Sequence, residues 1–179
     1  MEEPDPAVVR AAAAGDLGAF EQLVRAYQVP VWRFLRHLLA DGALAEDVTQ
    51  ETFLRAHQRL GTFAFRSRFS TWLFAIARHA GIDALRVRAR RDRLAAAAVP
   101  PAPVGDASLR TEVAASVASL PDRLREAFLL VEVLGLTYRE VAESAGLPVG
   151  TVKSRVFRAR RLLVTWLRAE DGEVHSREL

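Results

Sequence analysis

Aromatic and cationic side chains alternate in the stretch from residue 61 to 69, which reads Gly-Thr-Phe-Ala-Phe-Arg-Ser-Arg-Phe. Aromatic faces stack on unpaired nucleic-acid bases at about 1–3 kcal/mol per base, and arginines follow the phosphate backbone. The stretch is too polar and irregular for a strand, and it is richer in aromatic residues than an ordinary connecting loop. These residue types predict a site that holds single-stranded nucleic acid.

Cationic side chains also surround an apolar stripe near the C-terminus. The stripe residues recur at steps of three and four, the spacing of one face of an α-helix; they are Val149, Val152, Val156, Ala159, Leu163 and Trp166. Basic residues fall off this stripe, namely Lys153, Arg155, Arg158, Arg160 and Arg161. One face of the predicted helix can therefore pack against the protein while the rest presents positive charge.

Phe157 departs from this division, because it lies about 100° around the helix from Val156, on the side of Lys153 and Arg158. An exposed ring there could contact a thymine methyl group while Lys153 or Arg158 reads guanine edges, each contact giving about 1–3 kcal/mol of discrimination. The alternative is that Phe157 packs against the preceding helix. The pattern alone leaves both interpretations open.

A helix-turn-helix is predicted to position these side chains. Thr137 and Glu140 have the spacing of a capping box that begins a short helix, and Gly146 ends that helix after about Ala145. A Gly-Leu-Pro turn then leads into the basic helix, whose length suits the major groove of DNA.

Helical patterns also flank the aromatic stretch. After a first helix, Asp16 is placed to cap the second. Pro30 should kink the second helix or end it, because proline removes a helical hydrogen bond. A third helix covers about residues 44–60, and Ser70 or Thr71 should cap a long fourth helix.

A segment rich in proline and alanine, residues 94–107, has no amphipathic period and is predicted to be a flexible linker. Beyond it, one helix should begin at Ser108 and another at Pro121. The sequence thus predicts an all-α protein of two small helical domains, the C-terminal one a helix-turn-helix. The predicted boundaries are 1–93 for the first domain, 94–107 for the linker, 108–169 for the second domain and 170–179 for a polar tail.

The composition excludes several classes of function. The 179 residues contain no cysteine, and the four histidines lack metal-ligand spacing, so neither a metal site nor a cofactor is expected. The sequence has no phosphate-binding glycine loop and no catalytic cluster, which argues against an enzyme. The acidic N-terminus does not resemble a signal peptide and no apolar run is long enough to span a bilayer, so we expect a cytoplasmic protein without membrane insertion.

Four sequence blocks occur together in one order: Asp-Val-Thr-Gln-Glu-Thr-Phe at 47–53, Phe-Ser-Thr-Trp-Leu-Phe-Ala-Ile-Ala-Arg at 69–78, Leu-Pro-Asp-Arg-Leu-Arg-Glu-Ala-Phe at 120–128 and Gly-Thr-Val-Lys-Ser-Arg at 150–155. With these blocks, the chain from Asp16 to Leu167 resembles an RNA polymerase sigma factor of the extracytoplasmic-function (ECF) group. The resemblance implies that the protein directs core RNA polymerase to promoter DNA and starts its melting. It also implies an anti-sigma factor as an inhibitory partner.

The resemblance assigns roles to three groups of residues. The clamp of the polymerase's largest subunit would be bound by Asp47, Gln50, Glu51 and Phe53. The promoter's minus-10 element would be held by Phe63, Phe65, Arg66, Ser67, Phe69, Trp72, Arg78, His79, Asp83, Arg86 and Arg90. The minus-35 element would be contacted by Thr151, Lys153, Ser154, Arg155, Phe157, Arg158 and Arg161. Apart from the resemblance, the positive charges of Arg155, Arg160 and Arg161 suit contacts with phosphates.

Simpler interpretations accompany each group. The residues at 47–53 also suit a solvated acidic face over a core phenylalanine. Phe63, Phe69 and Trp72 also suit a hydrophobic core, with the neighbouring arginines merely solvated. His79 stands where the family usually has asparagine, which bears on the preferred base.

A stand-alone helix-turn-helix regulator, binding operators as a dimer, is the alternative function. It explains residues 146–163 equally well. It leaves the aromatic stretch, the 47–53 block and the linker without a task. Co-purification with polymerase would separate the two functions.

Overall fold

The computed structural model describes residues 2–95 and 112–175. The chain divides into two compact units, Met1–Asp106 and Ala107–Leu179. Every regular element within the described ranges is helical, which confirms the predicted all-α fold with two helical domains. The predicted linker lies mostly outside the described residues, as does the predicted helix start at Ser108.

The N-terminal unit contains four helices, α1 (Pro6–Ala13), α2 (Leu17–Leu39), α3 (Gly42–Leu60) and α4 (Phe69–Ala95). The second helix packs against the other three. Its buried face includes Leu23, Val31 and Leu35, and the rings of Phe34 and Phe74 meet edge to face at 5.7 Å. Gly81 of α4 permits close packing here, since a Cβ atom added to it would lie only 2.8 Å from Leu38 Cδ2.

Aspartate side chains cap the first three helices. Asp5 Oδ1 accepts from Ala7 N at 2.7 Å, and Asp16 Oδ1 accepts from Ala19 N at 3.0 Å, which confirms the predicted cap of α2. Asp41 caps α3 in the same way, so this helix begins at Gly42, slightly earlier than the sequence pattern indicated.

Pro30 lies inside α2, which continues to Leu39, so the prediction that proline could end this helix is wrong. Tyr27, Val31 and Phe34 around it are almost completely buried. Their burial stabilises the helix by more than the hydrogen bond that proline removes, because each buried side chain of this size contributes about 1.5–3 kcal/mol.

The start of α4 also differs from the prediction. The helix begins at Phe69, so Ser70 and Thr71 lie within its first turn and neither is its N-cap. Both side chains are buried, and Ser70 is bonded to the carboxylate of Glu3. The helix ends at Ala95, so the first residues of the predicted linker are helical.

The C-terminal unit contains α5 (Glu112–Ser119), α6 (Asp122–Phe128), α7 (Tyr138–Ala145) and α8 (Val149–His175). A π-helical turn, Leu129–Val133, extends α6, and Gly135 with φ +69° redirects the chain after it. Pro121 occupies the N-cap position of α6. Because α8 runs to His175, residues 170–175 of the predicted tail continue the helix, and residues 176–179 lie outside the described ranges.

The predicted helix-turn-helix is confirmed in its details. Thr137 Oγ1 accepts from Glu140 N at 3.2 Å, and the Glu140 carboxylate accepts from Thr137 N at 2.8 Å. Gly146 ends α7 in the left-handed conformation, with φ +63°. Val152, Val156, Ala159 and Leu163 of α8 are buried, as the stripe predicted, whereas Val149 at its start is exposed and Trp166 is half-buried.

Candidate nucleic-acid and protein interfaces

The aromatic loop, residues 61–68, combines buried and exposed rings. Phe63 is buried beneath the loop, with its ring centroid 4.7 Å from that of Phe65 and 5.2 Å from that of Trp72. Phe69, at the start of α4, is also buried and lies 5.8 Å from Trp72. Phe65 is 44% exposed and has a φ of +54°, a left-handed conformation that costs a non-glycine residue energy.

The predicted single-strand site is therefore divided between core and surface. Phe63 and Phe69 belong to the core, so the simpler interpretation is correct for these two rings. Trp72 is half-buried, whereas Phe65, Arg66 and Ser67 of the loop are exposed.

The N-terminal segment, which sequence reasoning did not include, lies beside this loop. A cavity of about 210 Å³ has Glu3, Pro4, Pro6 and Val9 on one side. Its other side is formed by loop and helix residues, namely Phe63, Phe65, Ser67, Arg68 and Phe69. The guanidinium of Arg10 stands 5.8 Å from the centre of the Phe65 ring, within the range of a cation–π contact.

Tyr27 joins the same segment to α2. Its hydroxyl donates a hydrogen bond to the carbonyl of Glu2 at 3.0 Å. Burial, with a smaller contribution from the charge of Glu3, raises the pKa of Tyr27, while Arg68 opposes the shift. The hydroxyl therefore keeps its proton and remains a donor near neutral pH.

Polar residues of α4 continue from the loop. His79, Asp83, Arg86 and Arg90 are exposed. His79 Nδ1 donates to the Ala75 carbonyl at 2.7 Å, which leaves Nε2 on the outer side of the ring.

Arg78 differs from these residues because it is only 8% exposed. Its guanidinium lies 3.5 Å from His79 Nε2. Most of the surface of Arg78, which the sequence predicts to contact DNA, is therefore covered by the protein itself. Asp83 lies 3.4 Å from Arg86 and 3.6 Å from Arg55, so its carboxylate links α4 to α3.

The acidic surface of α3 contains Asp47, Gln50 and Glu51, all exposed as predicted. Glu51 accepts a hydrogen bond from Arg55 Nε at 2.7 Å, and this bond raises the pKa of Arg55. Phe53, predicted to dock on a partner, is instead buried. One residue further along, Leu54 is 60% exposed.

A shallow apolar groove borders this acidic surface. Its volume is about 410 Å³, and its lining residues come from α2 and α3: Phe20, Val24, Gln28, Thr49, Gln50, Phe53, Leu54 and His57. Such a combination of apolar floor and polar rim is typical of protein interfaces.

The outer face of α8 is cationic and carries one ring. Phe157 is 60% exposed, so the interpretation that it packs against the preceding helix is wrong. The Arg161 guanidinium stands 6.0 Å from the centre of this ring. The predicted minus-35 residues on this face are exposed at Lys153, Ser154, Arg158 and Arg161 and half-buried at Thr151 and Arg155.

Arg160 behaves differently from its neighbours. Its Nη2 atom lies 2.7 Å from Glu132 Oε1 of the π-helical turn. The sequence assigned Arg160 to a phosphate, but this ion pair engages it within the unit. It therefore connects α8 to the preceding helical segment.

Among the described residues, no group of three histidine or acidic side chains is arranged to hold a metal ion. Nor does any helix of the described ranges have both the length and the apolar character needed to cross a membrane.

Both halves of the chain match known family models. Residues 23–91 match Sigma-70 region 2, and residues 110–163 match Sigma-70 region 4. The first match contains α3, the aromatic loop and most of α4, and the second contains the helix-turn-helix. Together the matches define a sigma factor of the Sigma-70 type.

Relatives that are similar over nearly the whole chain show to which group of sigma factors the protein belongs. The chain is 41% identical over 176 residues to the ECF RNA polymerase sigma factor SigC of Mycobacterium tuberculosis, covering 95% of each chain. It is 36% identical over 179 residues to the RNA polymerase sigma-H factor of Pseudomonas aeruginosa, covering 90% of this chain and 93% of that one. The protein belongs to the ECF group of RNA polymerase sigma factors.

Solved structures agree with this assignment. The sigma factor RpoE of Bartonella quintana, crystallised with the anti-sigma factor NepR, superposes with a TM-score of 0.71 at 29% identity, covering 83% of this chain and 96% of that one. CnrH, solved in complex with the cytosolic domain of CnrY, superposes with a TM-score of 0.70 at 31% identity, covering 92% of this chain and 97% of that one.

The function follows from the family. The protein directs core RNA polymerase to promoter DNA for transcription initiation, which confirms the function expected from the sequence. Sigma factors are initiation factors without enzymatic activity of their own. The matches extend through both units, so nothing favours a stand-alone regulator that would use the helix-turn-helix alone.

Proposed function

We propose a division of labour between the two units of this sigma factor. The N-terminal unit docks on the polymerase clamp and holds the melted minus-10 strand, and the C-terminal unit anchors the complex on the minus-35 duplex. The observation that carries this proposal is the exposure of one aromatic ring among cationic residues in each unit, Phe65 in the loop and Phe157 on α8.

On α8, Phe157 contacts a thymine methyl group, and Lys153, Ser154 and Arg158 read the neighbouring base edges. Arg161, Arg155 and Thr151 hold phosphates. The buried stripe of Val152 and Val156 fixes the orientation of the helix, so the exposed face keeps one orientation toward the groove. Arg160 stabilises that orientation through Glu132.

In the N-terminal unit, Phe65 stacks on an unpaired base, and Arg66 and Ser67 contact the adjoining backbone. The buried rings Phe63 and Phe69 and the half-buried Trp72 support the loop from below. Along α4, His79, Arg86 and Arg90 contact bases and phosphates of the melted strand, and Asp83 orients Arg86. Arg78 acts indirectly by holding His79.

Docking on the polymerase uses the exposed acidic surface of α3. Asp47, Gln50 and Glu51 supply the polar contacts, and Leu54 supplies the apolar one in place of the buried Phe53. A partner helix pair seated here would bury Leu54 with a rim of polar contacts around it.

An anti-sigma factor is the further partner that we propose. Two solved relatives, RpoE of Bartonella quintana and CnrH, are bound to the anti-sigma factor NepR and to the cytosolic domain of CnrY, respectively. A similar partner would keep this chain from polymerase until a signal releases it. Because polymerase and promoter DNA must both be reached, we also propose that the protein acts in the cytoplasm.

Photo-crosslinking in the assembled holoenzyme tests these assignments. Benzoylphenylalanine replaces Phe65, Phe157 or Leu54, and Leu17 and Val133 serve as exposed apolar control positions in the two units. We expect crosslinks to the minus-10 strand, the minus-35 duplex and the largest polymerase subunit, respectively, and none of these from the controls. A crosslink from position 65 to the minus-35 duplex, or from 157 to the minus-10 strand, would overturn the division of labour.

A further inference from the structure

We call the N-terminal segment, residues 3–9, the arm. Hydrogen bonds join it to the start of α4. Glu3 Oε2 accepts a hydrogen bond from Ser70 N at 3.3 Å, and Glu3 Oε1 accepts one from Ser70 Oγ. The two residues are 67 positions apart in the chain. The carbonyl of the preceding residue, Glu2, is held by Tyr27 of α2.

This contact supplies hydrogen-bond partners that the first turn of α4 lacks. The first amides of a helix have no partner within the helix and carry partial positive charge, so a carboxylate beside them is favourable. Ser70 is almost completely buried, and its hydroxyl needs a partner inside the protein. Glu3 satisfies both the amide and the hydroxyl of Ser70, although it comes from a distant part of the chain.

The arm also completes a cavity with the aromatic loop. Across about 210 Å³, Pro4, Pro6 and Val9 face the loop side of the cavity. That side includes Phe65, which is held with φ +54° and faces the Arg10 guanidinium at 5.8 Å. A left-handed aromatic residue costs of order 1–3 kcal/mol and persists only where its surroundings determine it. The arm and Arg10 of α1 are such surroundings.

We propose that the arm is a working part of the base-capture site. Its apolar residues form the second wall of the cavity that receives one unstacked base of the melted strand, opposite the loop. Glu3 is a positioning residue, because it acts through Ser70 on the junction between the loop and α4. This inference depends on the proposed role of the aromatic loop in holding that strand.

The consequence is a site that is organised before DNA arrives. Without Glu3, the first turn of α4 lacks its carboxylate cap and the loop loses its fixed end. The base then has to order the loop as it binds, which lowers the occupancy of the captured state. We expect the Glu3→Ala substitution to weaken opening of a duplex promoter by about tenfold, the effect of losing hydrogen bonds to a charged group.

The test uses the full chain assembled with core polymerase and 2-aminopurine fluorescence to follow promoter opening. Glu3→Ala and Glu3→Gln are compared with Glu21→Ala. Glu21 is an exposed residue of the same unit, and its ion pair with Arg25 lies on the surface. The wild type and the Glu21→Ala variant should open the promoter equally. Both Glu3 variants should open it less, and Glu3→Gln should lose less than Glu3→Ala because its amide oxygen still accepts.

A series of promoters, each with one abasic nucleotide at a different position of the minus-10 element, distinguishes a role of Glu3 in base capture from a general loss of protein stability. Where the missing base is the captured one, Glu3→Ala and the wild type should open the promoter equally, because the wild type no longer has a base to hold. Thermal unfolding of each variant is measured alongside. An undiminished defect of Glu3→Ala at every abasic position, or opening equal to that of the wild type on the intact promoter, would overturn the proposal.

Measuring Phe65→Ala on the same templates distinguishes a failure of the inference about the arm from a failure of the proposed role of the aromatic loop. If Phe65→Ala is defective and Glu3→Ala is not, the arm has no part in base capture although the loop does. If neither Phe65→Ala nor any abasic position affects opening, the loop does not capture a base and both proposals fail.

Discussion

The promoter surfaces of the two units are built in different ways. In the C-terminal unit, the candidate minus-35 residues lie on one helix, α8, and the buried stripe of the same helix sets their orientation. In the N-terminal unit, the candidate minus-10 site is assembled from the arm, the aromatic loop and α4. Its bond between Glu3 and Ser70 joins residues 67 positions apart.

This difference bears on what each surface can tolerate. The exposed face of α8 is separate from its buried stripe, so its side chains can change without loss of packing. The aromatic loop and the start of α4 have no such separation, because Phe63 and Phe69 are at once core residues and walls of the cavity beside Phe65. Substitutions at these two rings should therefore alter stability and DNA binding together. Those on the exposed face of α8 should alter DNA binding alone, except at Arg160, which pairs with Glu132.

The largest effect should come from comparing two phenylalanines. Phe69 is 5% exposed and its ring meets Tyr27 edge to face at 5.4 Å, whereas Phe157 is 60% exposed. Phe69→Ala should lower the free energy of unfolding of its unit by about 3–5 kcal/mol, because it leaves a cavity in the core. Phe157→Ala should change the free energy of unfolding by less than about 0.5 kcal/mol.

Urea denaturation, followed by circular dichroism, measures both changes. The two units need not unfold together, so the fluorescence of Trp72 and Trp166 helps to assign each transition. Equal losses of unfolding free energy from the two substitutions would contradict the contrast between the aromatic region, where core and binding residues coincide, and α8, where they are separate.

A smaller effect should distinguish two arginines of α8. Arg158 is exposed on the face of Lys153, and Arg160 pairs with Glu132 at 2.7 Å. Arg158→Ala should lose about 1–3 kcal/mol of discrimination at one base pair of the minus-35 element. Arg160→Ala should cost about 0.2–1 kcal/mol of stability, the range of partly exposed ion pairs, and leave the base preference unchanged.

Holoenzyme binding to a set of single-base minus-35 variants, measured at several salt concentrations, gives both the base preference and the salt dependence. If Arg160→Ala reduces the salt slope by about one phosphate contact, Arg160 binds DNA as the sequence suggested. In that case its pair with Glu132 must open in the complex.

The sequence predicted the local features of the fold well. Thr137 and Glu140 lie three residues apart, and Gly146 ends the same short helix, so the signals for the helix-turn-helix were complete within a few residues. The burial of Val152 and Val156 followed from their spacing on one helix. Asp16 was equally local, since its partner Ala19 is in the next turn.

The features that the sequence did not predict depend on contacts between distant segments. The carboxylate that caps α4 comes from Glu3, 67 positions before Ser70, and no local pattern at the start of the helix indicates it. Arg160 was assigned to DNA because Glu132 is 28 residues away and no periodicity links them. Phe53 and Leu54 are neighbours, and only the packing of α3 decides which of them is exposed.

The smallest predicted effect concerns pH and the core of the N-terminal unit. His37 is half-buried in α2, and burial, with a smaller contribution from Arg36, lowers its pKa below the usual 6.5. The unfolded chain then binds a proton at a higher pH than the folded chain does. Stability of this unit should therefore be fully present above pH 6.5 and decrease as the pH falls below it.

Denaturation of the wild type and of a His37→Gln variant between pH 7.5 and about 5 measures this contribution. The variant should lose part of the pH dependence in that window. An identical pH dependence in both proteins would show that His37 does not couple protonation to folding.

The central claim, that one unit holds the melted strand and the other anchors on duplex DNA, is tested most directly by footprinting open complexes of two variants. Permanganate reactivity reports melting at the minus-10 element, and nuclease protection reports occupancy of the minus-35 element. Phe65→Ala should keep minus-35 protection and lose permanganate reactivity. Phe157→Ala should lose minus-35 protection and still bind a template whose minus-10 region is already unpaired, where the bound protein shields the unpaired thymines from permanganate. Loss of both signals in both variants on their respective templates would contradict the division of labour between the two units.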